Sequence, residues 1–352
     1  MVTLPKARPN MAAPGIPCPS LWHGCIPLAT LATDVMLGGC AGETSMLNPQ
    51  GHGATQIANI WWFMLIVAAI VYVVVMGLLA AALLRRRQSE ADVRVKEVPA
   101  GSYAFILIMG VVIPAVILFT LFILTLQTAR ALSFLETDGT LTIEVTGKRW
   151  WWEVRYADYD LVTANEIHIP VGQPVRLQLM SDNVIHSFWV PELHGKMDLT
   201  PGLTTTLWLR ADRAGEYLGV CAEYCGLQHT RMQFYVVAQE PRDFDQWLVN
   251  EQQPAAQPSG GSAQRGQQVF TSTNCVYCHT VRGTTAAADV GPDLTHLASR
   301  RTIGAGTAPN TRGHLAGWIV DSQALKPGNL MPPVDINAED LQALLDYLGT
   351  LR

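Results

Sequence analysis

The sequence predicts a multidomain chain: a two-helix transmembrane hairpin, then an all-β sandwich, then a small all-α domain. Three observations predict it. Two uncharged apolar stretches, 60–84 and 103–126, each exceed the ~20 residues that cross a bilayer as helix. Short alternating runs fill about 139–240. A Pro-, Gln-, Gly- and Ser-rich stretch at 251–263 separates them from a tail with helical spacing of apolar residues. The chain has 352 residues, 49% hydrophobic and 15% charged, and that shortage of charge fits membrane segments. A net charge of −5 with no basic tract argues against nucleic acid as a partner.

Residues 1–39 carry Lys6 and Arg8, then the run IPLATLATDVML, and read as an export signal closed by small residues. The LGGC sequence ending at Cys40 resembles a bacterial lipoprotein box, with Cys40 acylated after cleavage. An ordinary signal peptide cut nearby is the alternative, because Asp34 interrupts the apolar run. The membrane hairpin then covers 40–128. Its loop holds Arg85, Arg86, Arg87, Arg94 and Lys96, whereas 41–59 has no Lys or Arg. The positive-inside rule puts that loop in the cytoplasm and both soluble ends outside. Trp61 and Trp62 suit an outer interfacial belt. Pro114, inside the second span, is tolerable where neighbours cover the freed carbonyl.

TLTIEVTG, EIHIPV, PVRLQLM, TTTLWLR, GEYLGV and MQFYVV are rich in β-branched and aromatic residues, with Gly, Pro and Asp between them. After GEYLGV comes CAEYCGLQHTRM, residues 221–232, and His186 stands 35 residues upstream of Cys221. The candidate ligands are His186, Cys221, Cys225, His229 and Met232. Thiolate, imidazole and thioether together select a soft or borderline metal, and copper fits best. Two thiolates can bridge two copper ions, each completed by one imidazole, with Met232 and a backbone carbonyl as weak outer ligands. A Cys221–Cys225 disulfide is one rival. Zinc is another, though it leaves Met232 without a role.

CVYCH at 275–279 is a c-type heme attachment sequence, with Cys275 and Cys278 as thioether links and His279 under the iron. A thioredoxin-like dithiol is opposed by the trailing histidine. After Met232 the only methionine is Met331, 52 residues past His279, and a thioether sixth ligand raises the potential. His296 and His314 are the alternatives.

HSFWVPEL (186–193) plus CAEYCGLQHTRM resembles the CuA signature of the cytochrome c oxidase subunit II family. The hairpin and GKRWWWEVRY (147–156) resemble that family's anchor and aromatic stretch, so the likeness covers about 45–250. Residues 263–352 resemble a class I cytochrome c, including GPDL and MPP. The whole order resembles subunit II of a caa-type oxidase. The resemblance implies a cupredoxin-like CuA domain over 129–250, a flexible linker over 251–263 and a class I cytochrome c domain over 264–352. It implies CuA ligands His186, Cys221, the main-chain oxygen of Glu223, Cys225, His229 and Met232. It implies that the Glu223 side chain reaches a magnesium ion at the border with the catalytic subunit, near Lys196 and Asp198. Trp150 would be the electron-entry residue. His168 and His194 read as surface or packing residues.

By the same resemblance, electrons from a cytochrome c or membrane donor would pass through heme c and CuA to subunit I. There oxygen would be reduced to water with proton translocation. Subunit I, subunit III and membrane lipid would be partners, on the outer face of a bacterial inner membrane. The alternatives are a free-standing electron carrier, a carrier serving another terminal reductase, or a copper-insertion thiol protein. Quinol-oxidase subunit II proteins resemble this fold but lack the metal ligands. One departure stands: the second helix has no acidic residue at the family's proton-channel position, and Glu97 lies ten residues too early.

Overall fold

The computed structural model describes residues 44–86, 100–132 and 140–352. The export signal, Cys40, Arg87, Arg94, Lys96 and Glu97 lie outside the described residues.

Helix α1 runs His52–Arg86. The second apolar stretch is one continuous rod: α2 (Ala100–Leu107), a π turn (Ile108–Val112) and α3 (Ile113–Ala131). The π turn falls just before Pro114. Proline offers no N–H and its ring crowds the carbonyl four residues back, so a wider turn lets the helix pass. The Ile113 N–H reaches Ile108 O instead. Apolar side chains on both rods face outward; Val73 is 67% and Leu84 65% exposed. Such surface is unfavourable in water, and the rods fit a two-pass membrane anchor.

Both helices outrun the apolar stretches that predict them. The added turns of α1 dock on the β-sandwich: Ala54 and Ala58 are buried, and the Ala54 N–H donates to Leu193 O at 2.9 Å. Residues 52–59 are too polar to count as a membrane span, so their helix is set by this contact.

The sandwich has strands β1 (Thr142–Lys148), β2 (Trp151–Tyr156), β3 (Leu161–Ala164), β4 (Glu166–Pro170) and β5 (Val175–Ser181). They are followed by β6 (His186–Trp189), β7 (Met197–Leu199), β8 (Thr205–Leu209), β9 (Gly215–Cys221) and β10 (Gln233–Gln239). One sheet is ordered β3-β2-β1-β5-β8 and the other β4-β10-β9-β6-β7. All six runs read from the sequence are strands. The four further strands are short or carry mixed faces, which weakens the period-2 signal. Strict alternation makes β10 a core strand, burying Phe234, Val236 and Ala238. These residues meet Trp152, Tyr156 and Phe188 between the sheets. Phe188 on β6 lies opposite Cys221 on β9, so this pairing brings His186 and Cys221 to the same end of one sheet.

Helix α4 (Pro241–Glu251) closes the sandwich with Phe244 and Leu248. Helices α5 (Gly261–Ser272), α6 (Arg312–Val320), α7 (Ser322–Leu325) and α8 (Ala338–Leu348) build the last domain around Phe270, Leu344 and Tyr347. A two-stranded ladder, β11 (Thr302–Ile303) and β12 (Ala308–Pro309), adds a small β element that the all-α expectation omits. The stretch read as a linker is bounded more narrowly, because Glu251 ends α4 and Gly261 begins α5. Part of it is pinned: the Ala255 N–H donates to Arg282 O at 2.9 Å, and Gln253 O meets His296 Nε2 at 3.1 Å.

α5 and α8 cross at Gly266, where a Cβ would come within 1.9 Å of the Ala343 carbonyl oxygen. Gly→Ala inside a helix ordinarily stabilises by ~1 kcal/mol. Here crowding of backbone wins, at about 1–3 kcal/mol against. Gly266→Ala is therefore expected to lower the unfolding temperature of this domain in a calorimetric scan of the full chain; an unchanged or raised value would show that the crossing can open freely.

Candidate metal centre and heme cavity

Five soft donors converge at the end of the sandwich. Cys221 Sγ lies 3.8 Å from His186 Nδ1 and 3.8 Å from Cys225 Sγ. Cys225 Sγ lies 3.8 Å from His229 Nδ1 and 3.8 Å from Met232 Sδ. The main-chain oxygen of Glu223 stands 3.2 Å from Cys221 Sγ. β9 delivers Cys221, β6 delivers His186, and the turn between β9 and β10 carries the rest. Four of the donors are dry, with His186 and Met232 fully buried and Cys221 and Cys225 nearly so, while His229 is half-buried.

The environment sets up ligands. A hydrogen bond between the two thiols pulls Cys221 well below the ordinary thiol range and pushes Cys225 above it. His186 Nε2 sits 3.1 Å from Asn183 Oδ1, an acceptor only. That contact puts the proton on Nε2 and leaves the Nδ1 lone pair facing the sulfurs. All the sequence-derived copper candidates are thus together, and the donor set fits copper. Both cysteines are free thiols, which opposes the disulfide alternative.

Glu223 turns its carboxylate the other way. Lys196 Nζ lies 3.6 Å from Glu223 Oε2 and 3.0 Å from Asp198 Oδ1. Ser187 and Lys196 hold the Asp198 carboxyl below its usual range. His168 stacks on Trp247 with ring centroids 4.0 Å apart, and His194 is half-buried, so both act in packing.

The helical domain holds a cavity of about 700 Å³ lined by Cys275, Cys278, His279, Trp318 and Met331 among mainly apolar neighbours. Its size and lining suit a cofactor. His279 Nδ1 lies 2.8 Å from Pro292 O, which fixes the proton there and frees Nε2 as a ligand. Burial lowers its pKa, favouring the neutral ring. Met331 faces the cavity and accepts the Trp318 indole N–H at 3.1 Å. His296 and His314 do not line the cavity; the first meets Gln253 O and the second Thr311 Oγ1. The residues present fit a covalent heme.

Trp150 belongs to both places. It lines the cavity, and its Nε1–H donates to the Cys225 carbonyl at 2.9 Å. Beside it is a residue that sequence reasoning missed. Lys326 is 2% exposed, and its Nζ donates to Trp150 O at 2.8 Å and to Arg231 O and Gly304 O at 2.7 Å each. Burial pulls its pKa down to about 7. Three carbonyls match the three protons of an ammonium, which favours the charged form. Asn183 and Trp318 were missed as well. Lys326 and Trp318 act on groups reached only by folding, and Asn183, three residues from His186, reads as ordinary turn chemistry.

The chain matches "Cytochrome C oxidase subunit II, periplasmic domain" over residues 160–239 and "Cytochrome c" over 263–352. A cytochrome c oxidase subunit 2 of Alkalihalophilus pseudofirmus is 41% identical over 61% of this chain and 62% of its own length. That match falls short of two thirds of the relative. A cytochrome c oxidase subunit 2 of Bacillus sp. (strain PS3) is 32% identical over 70% of this chain and 74% of its own length. A quinol oxidase subunit 2 of Bacillus anthracis is 31% identical over 65% of this chain and 79% of its own.

Proposed function

The chain belongs to the cytochrome c oxidase subunit 2 family, and on that premise we propose that it is the electron-entry subunit of a heme–copper oxidase. It takes electrons from a cytochrome c or membrane donor and passes them to subunit I, where oxygen is reduced to water with proton translocation. Copper and heme c go with the two matched domains. In this reading a binuclear CuA centre is held by His186, Cys221, the Glu223 carbonyl, Cys225, His229 and Met232. Heme c is linked to Cys275 and Cys278, with His279 and Met331 on the iron. Copper held by these thiolates and imidazoles, and heme held by His279 and Met331, would supply single-electron exchange.

The observation that carries this reading is Trp150, which walls the heme cavity and hydrogen-bonds the backbone of a copper-ligand candidate. The protein's own part is to hold the ligands dry, set their protons and keep the two sites adjoining. The Glu223 carboxylate, beside Lys196 and Asp198, reaches toward a magnesium ion at the border with subunit I. Subunits I and III are partners in the bilayer, and both soluble domains stand on the outer face. The domain limits are 129–250 and 264–352, and Cys40 carries the lipid.

A quinol donor is the second reading, favoured by the Bacillus anthracis relative. The complete set of soft donors and the heme cavity favour a cytochrome donor instead. The test is elemental analysis and electron paramagnetic resonance on the full chain made in an exporting host with copper. Two coppers and one covalent heme per chain are expected, with one unpaired electron shared equally by two copper nuclei. One copper with a single-nucleus signal, or none, would overturn the binuclear reading.

A further inference from the structure

Four consecutive residues of the helical domain grip the turn that carries the copper candidates. Leu325 O accepts from the Arg231 guanidinium. Lys326 Nζ reaches Trp150 O and Arg231 O across the seam, and Gly304 O on its own side. Pro327 O accepts from Gln228 Nε2 at 2.6 Å. Gly328 has φ +82°, and a Cβ there would lie 3.0 Å from Leu227, so a side chain would be both strained and crowded. On one side this segment stops three residues before Met331. On the other, residues 227–231 lie between Cys225 and Met232. The contact therefore joins the iron-side loop to the copper-side loop with no intervening element.

Resting on the electron-entry reading above, we propose that Lys326 is a positioning residue that clamps the heme-bearing domain onto the copper loop and so sets the distance between the two redox sites. It walls the heme-side cavity but is not among the ligand candidates of either site. Its ammonium ties three chain segments, at 150, 231 and 304, to the segment at 326. Gly304 O also accepts from Thr307 Oγ1, but an apolar side chain in place of this ammonium takes the charged donor from Trp150 O and Arg231 O, the two carbonyls across the seam. The nearby Trp150–Cys225 hydrogen bond does not include the lysine side chain.

Two readouts on the full chain test this. The first needs no metal. The Gln233 N–H donates to Ala305 O across the same seam at 3.0 Å, so its hydrogen exchange reports undocking. In Lys326→Met its exchange is expected to rise roughly tenfold or more, since hydrogen bonds to a charged donor are lost. The second is transfer of an electron from photoreduced heme to copper in the loaded chain. It is expected to slow by roughly tenfold after correction for the heme and copper potentials measured in the same variant, because the docked state is less populated, while heme and copper contents stay at parent values. Lys326→Gln keeps two N–H donors and is expected to fall between. Parent exchange and parent transfer rate in a cofactor-replete Met variant overturn the clamp while leaving the electron-entry reading intact. No heme-to-copper transfer in the parent chain overturns the electron-entry reading, and the clamp with it.

Discussion

Cys225→Ser is expected to strip the chain of copper and halt oxidation of a cytochrome c donor, while the heme absorbance stays. Cys225 is the hub of the donor set, with Cys221 Sγ, His229 Nδ1 and Met232 Sδ each 3.8 Å from its sulfur. A serine oxygen is hard and protonated at neutral pH, so it neither suits copper nor bridges two ions. Loss of an outer partner of a metal ligand costs roughly 10–100-fold in affinity or activity, and loss of the hub ligand exceeds that. The volume change is small, so the sandwich should fold as before. Copper content per chain and steady-state turnover measure the outcome. Parent copper content in this variant would remove Cys225 from the ligand set.

Trp152→Ala should produce the largest loss of stability. Trp152 is fully buried, with ring centroids 5.0 Å from Phe234 and 6.1 Å from Phe188. Truncating a buried aromatic leaves a cavity and costs about 3–5 kcal/mol. The melting temperature of the β-sandwich should fall by roughly 10 °C or more. The same ring lies 6.0 Å from the His186 ring, so the cavity opens beneath a copper-ligand candidate. Weaker copper retention in competition with a chelator should therefore accompany the lower melting temperature. A stable variant that keeps its copper would mean that the core repacks around the gap without help from Trp152.

The ligands were legible in the sequence because their chemistry is compressed. Cys221 to Met232 and Cys275 to His279 are short runs in which residue type alone narrows the possible partners. His186 and Met331 are remote, yet their donor types and flanking residues singled them out. The six strongest strand runs were legible through strict alternation, as in β10. The first turns of α1 were not, because polar residues 52–59 become helical only against the sandwich. Lys326 was illegible for a plainer reason. It lies 176 residues from its partner Trp150, and an isolated lysine before Pro327 carries no pattern. Asn183, three residues from His186, was close in sequence but looked like ordinary turn chemistry.

The seam at 325–328 also bears on how such a chain matures. Cys225 is 4% exposed, beneath Trp150 and the 226–231 turn, and that turn is held from outside by the domain that follows it in the chain. On the proposed copper reading, a metal donor would reach the thiols more readily in a chain whose helical domain is undocked. That reading implies an order of assembly, metal first and closure second. A chain that closed early would be sealed in an empty form and would have to reopen before a chaperone could fill it.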